Sequence, residues 1–347
     1  MNVMKALVFK SPGKIEFEEI PQPKPVRGES LINVRAVGIC GSDFEGFLGK
    51  TGRRIPPLVM GHEMAGVVVM PAEGSAFKAG AGVVVQPRLY CGACSYCRQG
   101  LTNLCSNADI FGVMRKDGGM AEYIAVPERC LFRIGADVEF GEAAMVEPLA
   151  VAYRSVQQLR EDAVQKAEHT ILVGAGTIGL LILQMLKIRG VRNIIVSDLS
   201  EHRLRIAQEL GADVTVNPAK EDVLSRVKEI TAGAMADIAI EAVGFQDAVS
   251  QALSALKNRG TIVWVGMAQR MIEVNMHQIV TSELNIRGSF IYSVDDFGAS
   301  LKLIESRKIQ LSPIISLSEK LAAGPEVFER LKDNGDGSIV KAILYNE

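Results

Sequence analysis

Four cysteines in the segment 91–105 form the densest group of metal-ligating side chains in the sequence. They are Cys91, Cys94, Cys97 and Cys105, and two of the gaps between them are Cys-x-x-Cys spacings. Four thiolates in one short loop match a tetrahedral zinc site whose coordination is complete. Such a site leaves no position for a substrate, so its role would be structural. The alternative is a set of incidental buried thiols.

A second candidate metal site combines three kinds of ligand. Cys40 opens a Cys-Gly-Ser-Asp turn, and His62 and Glu63 follow in a Gly-His-Glu segment ahead of a predicted strand. A thiolate, an imidazole and a carboxylate resemble a catalytic zinc site that keeps one position open. Glu147 could supply a further carboxylate, although a glutamate followed by Pro148 is equally typical of a helix start. The sequence leaves open whether Glu63 or Glu147 is the direct ligand.

A glycine-rich turn indicates a nucleotide site. Gly174, Gly176 and Gly179 form a Gly-x-Gly-x-x-Gly motif that follows a predicted strand, HTILVG, and opens a predicted helix. The first glycine permits the tight turn, the second lets the backbone approach a pyrophosphate, and the third allows close packing of helix on strand. The helix N-terminus would face the phosphates. The alternative is a tight turn without a ligand.

The identity of the dinucleotide is predicted from the end of the next strand. Asp198 ends the predicted strand NIIVSD at the expected distance from the glycine motif. A carboxylate there accepts hydrogen bonds from the ribose hydroxyls and repels a 2′-phosphate, which favours NAD over NADP. Arg203, one helical turn further on, could contact the same ribose or could be a solvated helix residue.

The elements that position these residues change in character near Glu147. Before it, short valine-rich strands alternate with Gly and Pro, which is typical of an irregular β domain. After it, buried apolar strands alternate with helical segments, which predicts a parallel sheet covered on both faces. A last strand near residues 284–289 would complete six strands.

Composition excludes several classes of protein. The net charge is −2, without a run of Lys or Arg, so no nucleic-acid partner is expected. The apolar runs are too short to cross a bilayer and the N-terminus lacks a secretory pattern. Free thiolates require a reducing compartment, so we expect a cytoplasmic protein. The alternative is a secreted protein with disulfides.

These motifs together resemble the zinc-dependent medium-chain dehydrogenase family over essentially the whole chain. The segment Val-Glu-Pro-Leu around Glu147 is similar to the polyol dehydrogenase branch, which includes sorbitol, threonine and galactitol-phosphate dehydrogenases. The resemblance implies an α/β fold in two domains. A GroES-like irregular β catalytic domain would comprise residues 1–150 and 291–347. A Rossmann domain with a doubly wound, parallel six-stranded sheet would comprise residues 151–290.

The resemblance also implies roles for individual residues. Two zinc ions per chain are implied, with Cys40 and His62 as ligands of the catalytic ion and Glu63 and Glu147 sharing its remaining sphere. Ser42 is implied as the hydroxyl that passes the proton of the alcohol toward solvent. Tyr292 is implied as a residue of the substrate pocket. The implied NAD contacts, beyond the glycine motif, are Thr177, Ile178, Asp198, Arg203, Val265, Gly266 and Met267.

The sequence departs from the family pattern at three places. Glu45 stands where many relatives have a histidine, which leaves the exit route of the proton undefined. Ile291 stands where sorbitol dehydrogenases have an arginine, which argues against sorbitol as substrate. The family's Gly-Asp-x-Val turn is replaced by Ala-Gly-Val at residues 81–83, which affects structure only.

The expected reaction is reversible oxidation of a secondary alcohol of a polyol or sugar alcohol, free or phosphorylated, by a homodimer or homotetramer. Arg53 and Arg54 could bind a phosphate or carboxylate of the substrate, or could be a solvated pair in a loop. One alternative is amino-alcohol oxidation of the threonine dehydrogenase type. Another is a non-enzymatic NAD-binding sensor, which would hold one zinc ion per chain instead of two.

Overall fold

The computed structural model describes residues 2–346 and divides into two compact units. The first contains the chain up to Glu147, the segment Ser293–Gly335 and the chain from Lys341 onward. The second contains Pro148–Tyr292 and Asp336–Val340. No helix among the described residues combines the length and apolar character needed to cross a membrane.

One short segment lies in a different unit from the one expected. Residues 336–340 were predicted with the catalytic domain, but they group with the second unit. The hydroxyl of Ser200 donates to the carbonyl of Asp336 at 2.5 Å, and the hydroxyl of Thr177 donates to the carbonyl of Val340 at 2.7 Å. These two bonds hold the segment against the beginnings of two helices of the second unit.

Strands and helices are numbered in chain order. The strands are β1 Val3–Ser11, β2 Lys14–Pro21, β3 Glu29–Ile39, β4 Leu58–Val59, β5 Glu63–Met70, β6 Gly82–Val85, β7 Arg88–Leu89, β8 Asp109–Ile110, β9 Tyr123–Pro127, β10 Leu131–Arg133, β11 Thr170–Val173, β12 Ile194–Ser197, β13 Val214–Val216, β14 Ala236–Glu241, β15 Leu256–Trp264, β16 Asn285–Gly288, β17 Ile315–Lys320 and β18 Lys341–Tyr345. The helices are α1 Gly41–Phe47, α2 Ser95–Arg98, α3 Phe140–Ala144, α4 Val146–Gln157, α5 Glu161–Lys166, α6 Thr177–Ile188, α7 Glu201–Glu209, α8 Val223–Ile230, α9 Gln246–Ser254, α10 Met276–Thr281, α11 Val294–Glu305 and α12 Gly324–Lys332.

The main sheet of the first unit has seven strands, in the order β10-β6-β5-β3-β18-β17, with β9 also paired to β3. Strands β5 and β18 lie on either side of β3 and run antiparallel to it. Gly38 near the end of β3 is opposite Glu63, and Ile39 is opposite Ala342. The end of β3 and the beginnings of β5 and β18 therefore meet at one place, directly before Cys40.

The second unit contains the predicted six-stranded parallel sheet, in the order β13-β12-β11-β14-β15-β16. The chain winds outward from β11 in both directions, so the crevice beyond the carboxyl ends of β11 and β14 is the switch point where such sheets bind ligands. Helix boundaries follow local capping. Ser200 accepts from the backbone of Arg203 and Asp222 from the backbone of Ser225, so α7 and α8 begin directly after these caps.

Candidate metal and cofactor sites

The four cysteines of the 91–105 segment are brought together by the structure. Their four sulfur atoms lie within 4.8 Å of one another, with Cys91 Sγ and Cys97 Sγ 3.9 Å apart, and all four are free thiols. Backbone N–H groups of Ala93 and Cys94 donate to Cys91 Sγ at 3.4 and 3.3 Å. The donor set and its compactness fit a closed tetrahedral zinc site.

The thiols of this loop differ in acidity. The two backbone hydrogen bonds lower the pKa of Cys91 to about 6, so this sulfur is a thiolate at neutral pH. Burial and a hydrogen bond to Cys94 raise the pKa of Cys97 to about 12. A zinc ion requires thiolates, so its binding would release protons from the less acidic members of the loop.

The second candidate metal site lies where β3, β5 and β18 meet. Cys40, His62 and Glu63 each direct one ligand atom to a point where these atoms lie within 4.8 Å of one another. His62 and Glu63 are buried, and Cys40 is partly exposed. The mixture of one thiolate, one imidazole and one carboxylate fits zinc and leaves a coordination position free.

Asp43 orients both of the first two ligands. One oxygen of its carboxylate lies 3.4 Å from His62 Nδ1, and the other accepts from the backbone N–H of Cys40 at 3.2 Å. Because Nδ1 faces Asp43, Nε2 is the imidazole nitrogen left for a metal ion, an arrangement common in zinc sites. Sequence reasoning missed this role of Asp43, although the residue is part of the Cys-Gly-Ser-Asp turn.

Electrostatic effects in this cluster are strong. Burial acts to raise the pKa of Asp43, but the charges of His62 and Arg54 outweigh it and hold that pKa well below its usual range. Burial acts to lower the pKa of His62, but Asp43 and Cys40 raise it well above its usual value. Binding of a metal ion would therefore displace a proton from His62.

A lysine from the far end of the sequence completes the surroundings of this site. Lys341 forms an ion pair with Glu63, with side chains only 2% and 1% exposed, and donates to the carbonyl of Ile39 at 3.2 Å. Burial acts to lower the pKa of Lys341, but Glu63, Cys40 and Glu147 raise it. Sequence reasoning missed this residue, because no local motif marks a lysine that pairs with a strand some three hundred residues earlier in the chain.

Glu147 lies at the beginning of α4 and is buried. It acts electrostatically on Lys341, but it does not belong to the set of ligand atoms that lie within 4.8 Å of one another. The structure thus brings Glu63 together with Cys40 and His62, and it places Glu147 near the same lysine. Direct ligation by Glu147 stays a prediction.

The glycine motif forms the predicted turn between β11 and α6. Gly174 has φ +101°, a conformation that favours glycine, and a Cβ on Gly179 would lie 1.9 Å from the carbonyl oxygen of Gly174. A Cβ on Gly176 would meet no atom within 4 Å, so open space lies over the backbone where a pyrophosphate would approach. The turn therefore fits a dinucleotide.

Asp198 lies beside the glycine turn, whereas Arg203 lies against the 336–340 segment. The Asp198 carboxylate accepts from the backbone N–H of Ala175 at 2.7 Å and from that of Ser200 at 2.8 Å, which fixes it beside the glycine turn. Each oxygen still has a lone pair for a ribose hydroxyl. Arg203 lies under the 336–340 segment, where a Cβ on Gly337 would be 2.9 Å from Arg203 Nε. Contact of Arg203 with a ribose stays a prediction.

The predicted turn at Val265 follows β15. A Cβ on Gly266 would lie 2.1 Å from the backbone nitrogen of Gly244, so this turn packs closely on the one after β14. The buried Glu241 ties the second turn down, since its carboxylate accepts from the backbone N–H groups of Val243 and Gly244 at 2.7 and 2.6 Å. Met267 is largely exposed. Sequence reasoning missed Glu241, whose signal is a carboxylate that ends an otherwise apolar strand.

Arg53 and Arg54 do not form an exposed pair of cations. Arg53 is exposed, but the Arg54 side chain is 1% exposed and its Nη2 lies 2.6 Å from Asp43 Oδ1. This buried ion pair removes Arg54 from the role of binding a substrate phosphate, and it is not a solvated residue either. Tyr292 is 2% exposed, and its role in a substrate pocket stays a prediction.

Comparison with known proteins extends over both units. Residues 26–136 match the family described as the alcohol dehydrogenase GroES-like domain, and residues 177–306 match the family described as zinc-binding dehydrogenase. These matches, with the parallel six-stranded sheet, confirm the predicted fold of a GroES-like domain and a Rossmann-type domain.

Individual relatives are similar along nearly their full length. The chain is 35% identical to an (R,R)-butanediol dehydrogenase from Neisseria gonorrhoeae, over 98% of this chain and 99% of the relative. It is 31% identical to a sorbitol dehydrogenase from Bacillus subtilis, over 94% and 93% of the two chains. A solved zinc-binding dehydrogenase from Sinorhizobium meliloti, bound to NADP, superposes with a TM-score of 0.91 at 30% identity and full coverage of both chains.

Proposed function

We propose that this chain, which belongs to the zinc-dependent medium-chain dehydrogenase family in its polyol dehydrogenase branch, oxidises a secondary alcohol of a polyol reversibly to a ketone with NAD as the hydride acceptor. It is an oxidoreductase of the zinc alcohol dehydrogenase type. The observation that carries the proposal is the convergence of Cys40, His62 and Glu63 on one point within 4.8 Å.

Cys40 and His62 would hold the catalytic metal, with a carboxylate from Glu63 or Glu147 completing the protein ligands. A bound zinc ion supplies Lewis acidity, which lowers the pKa of an alcohol as it lowers that of water. Asp43 lies 3.4 Å from His62 Nδ1, so Nε2 would be the nitrogen that binds the metal. Lys341 balances the buried carboxylates, so the site can contain several anionic groups without an uncompensated charge.

Ser42 is proposed to carry the proton of the alcohol. It lies in the first turn of α1, two residues after Cys40, and its side chain is partly exposed. A hydroxyl can accept one proton while it donates its own, so Ser42 can pass a proton toward solvent without a change in its charge. Removal of that proton is required before the carbinol hydrogen can leave as hydride.

The second unit would bind the dinucleotide. The backbone N–H groups at the start of α6 would bind the pyrophosphate, and Asp198, fixed beside the glycine turn, would accept from the adenosine ribose. The cofactor supplies the hydride chemistry, and the protein supplies binding and orientation. We propose NAD because the Asp198 carboxylate repels a 2′-phosphate. The NADP-bound relative makes a direct comparison of the two cofactors necessary.

The experiment is a screen of NAD and NADP reduction across sugar alcohols, their phosphates, diols, sugar acids and threonine. We expect the highest kcat/KM with an unphosphorylated or phosphorylated polyol and NAD. Cys40→Ser should abolish turnover and leave NAD binding intact. A preference for threonine would favour the amino-alcohol reaction. A Cys40→Ser variant that retained activity would remove zinc from the mechanism.

Two further proposals concern the state of the protein. The free thiols of both metal clusters need reducing conditions, so we propose a cytoplasmic location. We also propose a homodimer or homotetramer, because β16 is the edge strand of its sheet and the chain segment before it carries three highly exposed apolar side chains, Met271, Met276 and Val280. Analytical ultracentrifugation tests the second proposal, and a monomer at micromolar concentration would contradict it.

A further inference from the structure

We propose that Arg54 is a positioning residue that holds the Ser42 hydroxyl and the Asp43 carboxylate together beside the metal ligands and fixes the direction in which Ser42 passes its proton. The inference rests on the proposed function, since Ser42 is the proton carrier there. Neither the family motif nor the sequence analysis gives Arg54 this role.

The contacts of Arg54 are short and buried. Its Nη2 donates to Asp43 Oδ1 at 2.6 Å and lies 3.2 Å from Ser42 Oγ. The Arg54 and Asp43 side chains are 1% and 0% exposed. One nitrogen thus joins two neighbouring side chains of α1, of which Asp43 is fully buried and Ser42 is partly exposed.

The chemistry of the guanidinium group decides the direction of the hydrogen bond to Ser42. A guanidinium group has no acceptor and stays protonated in proteins, so it can only donate. Ser42 Oγ is therefore the acceptor in this contact, and its own hydrogen points away from Arg54. That hydrogen is free to move to a water molecule while Ser42 Oγ receives the proton of the substrate hydroxyl. One proton enters, one leaves, and Arg54 takes up neither.

The backbone of α1 leaves room for this arrangement. A Cβ on Gly46 would lie 2.1 Å from Arg54 Cδ and 2.7 Å from Arg54 Nε. Glycine within a helix is less stable than alanine, yet only glycine leaves the space that the guanidinium group fills. The same geometry provides a second way to disturb Arg54 without changing it.

Through Asp43 the arginine also reaches the metal ligands. The Asp43 carboxylate contacts Arg54 Nη2, His62 Nδ1 at 3.4 Å and the backbone N–H of Cys40 at 3.2 Å. A change at residue 54 could thus act through Ser42, through the metal ligands or through both. The test must separate these routes.

Arg54→Lys separates them, because a lysine side chain is one bond shorter than the arm that carries Nη2. Its ammonium group can still pair with Asp43, but it ends short of the position from which Nη2 contacts both Asp43 Oδ1 and Ser42 Oγ. We expect kcat to fall about tenfold, a part of the roughly 10²–10⁴-fold that acid–base catalysis contributes, because Ser42 is still present but less well oriented. KM and zinc content should be unchanged. In a Ser42→Ala background the same change should have no further effect on kcat. Arg330→Lys, at an exposed pair with Glu319, is the matched control and should behave as wild type.

Thermal unfolding of the metal-free proteins gives a readout that is independent of activity. The Tm losses of Arg54→Lys and Ser42→Ala should be non-additive, because the two residues share one contact. If Arg54→Lys does not fold, Gly46→Ala replaces it in the same cycle. The inference would be overturned if the kcat losses of Arg54→Lys and Ser42→Ala multiplied in the double variant and their Tm losses added. Loss of zinc from Arg54→Lys would overturn it as well. A wild-type protein inactive on every alcohol would refute the proposed function, while the Tm cycle would still test this contact.

Discussion

Replacing Lys341 by methionine tests the charge balance of the candidate catalytic site. Methionine keeps much of the side-chain volume but removes the charge that faces Glu63. Both side chains are almost fully buried, so water cannot compensate the carboxylate that is left. Breaking a buried ion pair from one side costs about 3–5 kcal/mol. For domains of about 150–250 residues, this corresponds to a fall in Tm of about 6–20 °C.

The assay is differential scanning calorimetry of Lys341→Met with and without zinc. In the metal-free protein we expect the full fall in Tm. With zinc bound we expect a smaller loss, because the divalent cation then faces Glu63 and replaces the missing positive charge. Adding Glu63→Gln to Lys341→Met should recover part of the stability of the metal-free protein, since no buried charge is then left unpaired.

Lys14→Met is the matched control. Lys14 pairs with Glu16 at 2.8 Å, but both side chains are largely exposed, so the pair should contribute little to stability. A Lys341→Met variant that lost no more stability than Lys14→Met would refute the reasoning. An equal loss with and without zinc would show that the metal does not lie close to Glu63.

Three further predictions concern the other sites. Asp198→Ala should raise the Kd for NAD about tenfold, because a charged acceptor for the ribose is lost. It should also reduce discrimination against NADP. An unchanged ratio of the Kd values for NAD and NADP in fluorescence titrations would contradict the role of Asp198. Cys94→Ser should remove one of two zinc ions per chain in metal analysis and lower Tm, while a variant that kept both ions would refute the four-cysteine site. Burial acts to raise the pKa of Asp237, but Lys257 and two backbone N–H groups lower it, so its stabilising effect is present above pH 4 and is lost as the pH falls through the folded pKa. Asp237→Asn should therefore lower the free energy of unfolding, measured by urea denaturation, by about 1 kcal/mol at pH 7 and by less at pH 3. An equal loss of stability at both pH values would contradict this prediction.

The parallel sheet of the second unit was predictable because each strand is a short, continuous apolar run between turn residues. Strand β11 is such an apolar run, and the turn after it contains Gly174 and Gly179, which the backbone geometry requires. The thiol loop was predictable for a similar reason, since its four ligands lie close together in sequence. Local patterns therefore identified the elements that local physics determines.

The surroundings of the second metal site were not predictable in the same way. Lys341 reaches Glu63 only because β18 pairs with β3, and pairing between strands so far apart leaves no sequence period. Two adjacent arginines in a glycine-rich segment suggested an anion site. The structure buries Arg54 against Asp43 instead, in the space that Gly46 leaves. Tertiary contacts, not residue types, decide the role of each of these cations.

Anomalous diffraction at the zinc edge from crystals grown with zinc is the most direct test of a catalytic metal in this protein. We predict two peaks per chain. One should be surrounded by the sulfur atoms of Cys91, Cys94, Cys97 and Cys105, and the other by Cys40 Sγ, His62 Nε2 and a carboxylate. A single peak, at the four cysteines only, would contradict the proposed chemistry and leave a dinucleotide-binding protein with a structural metal.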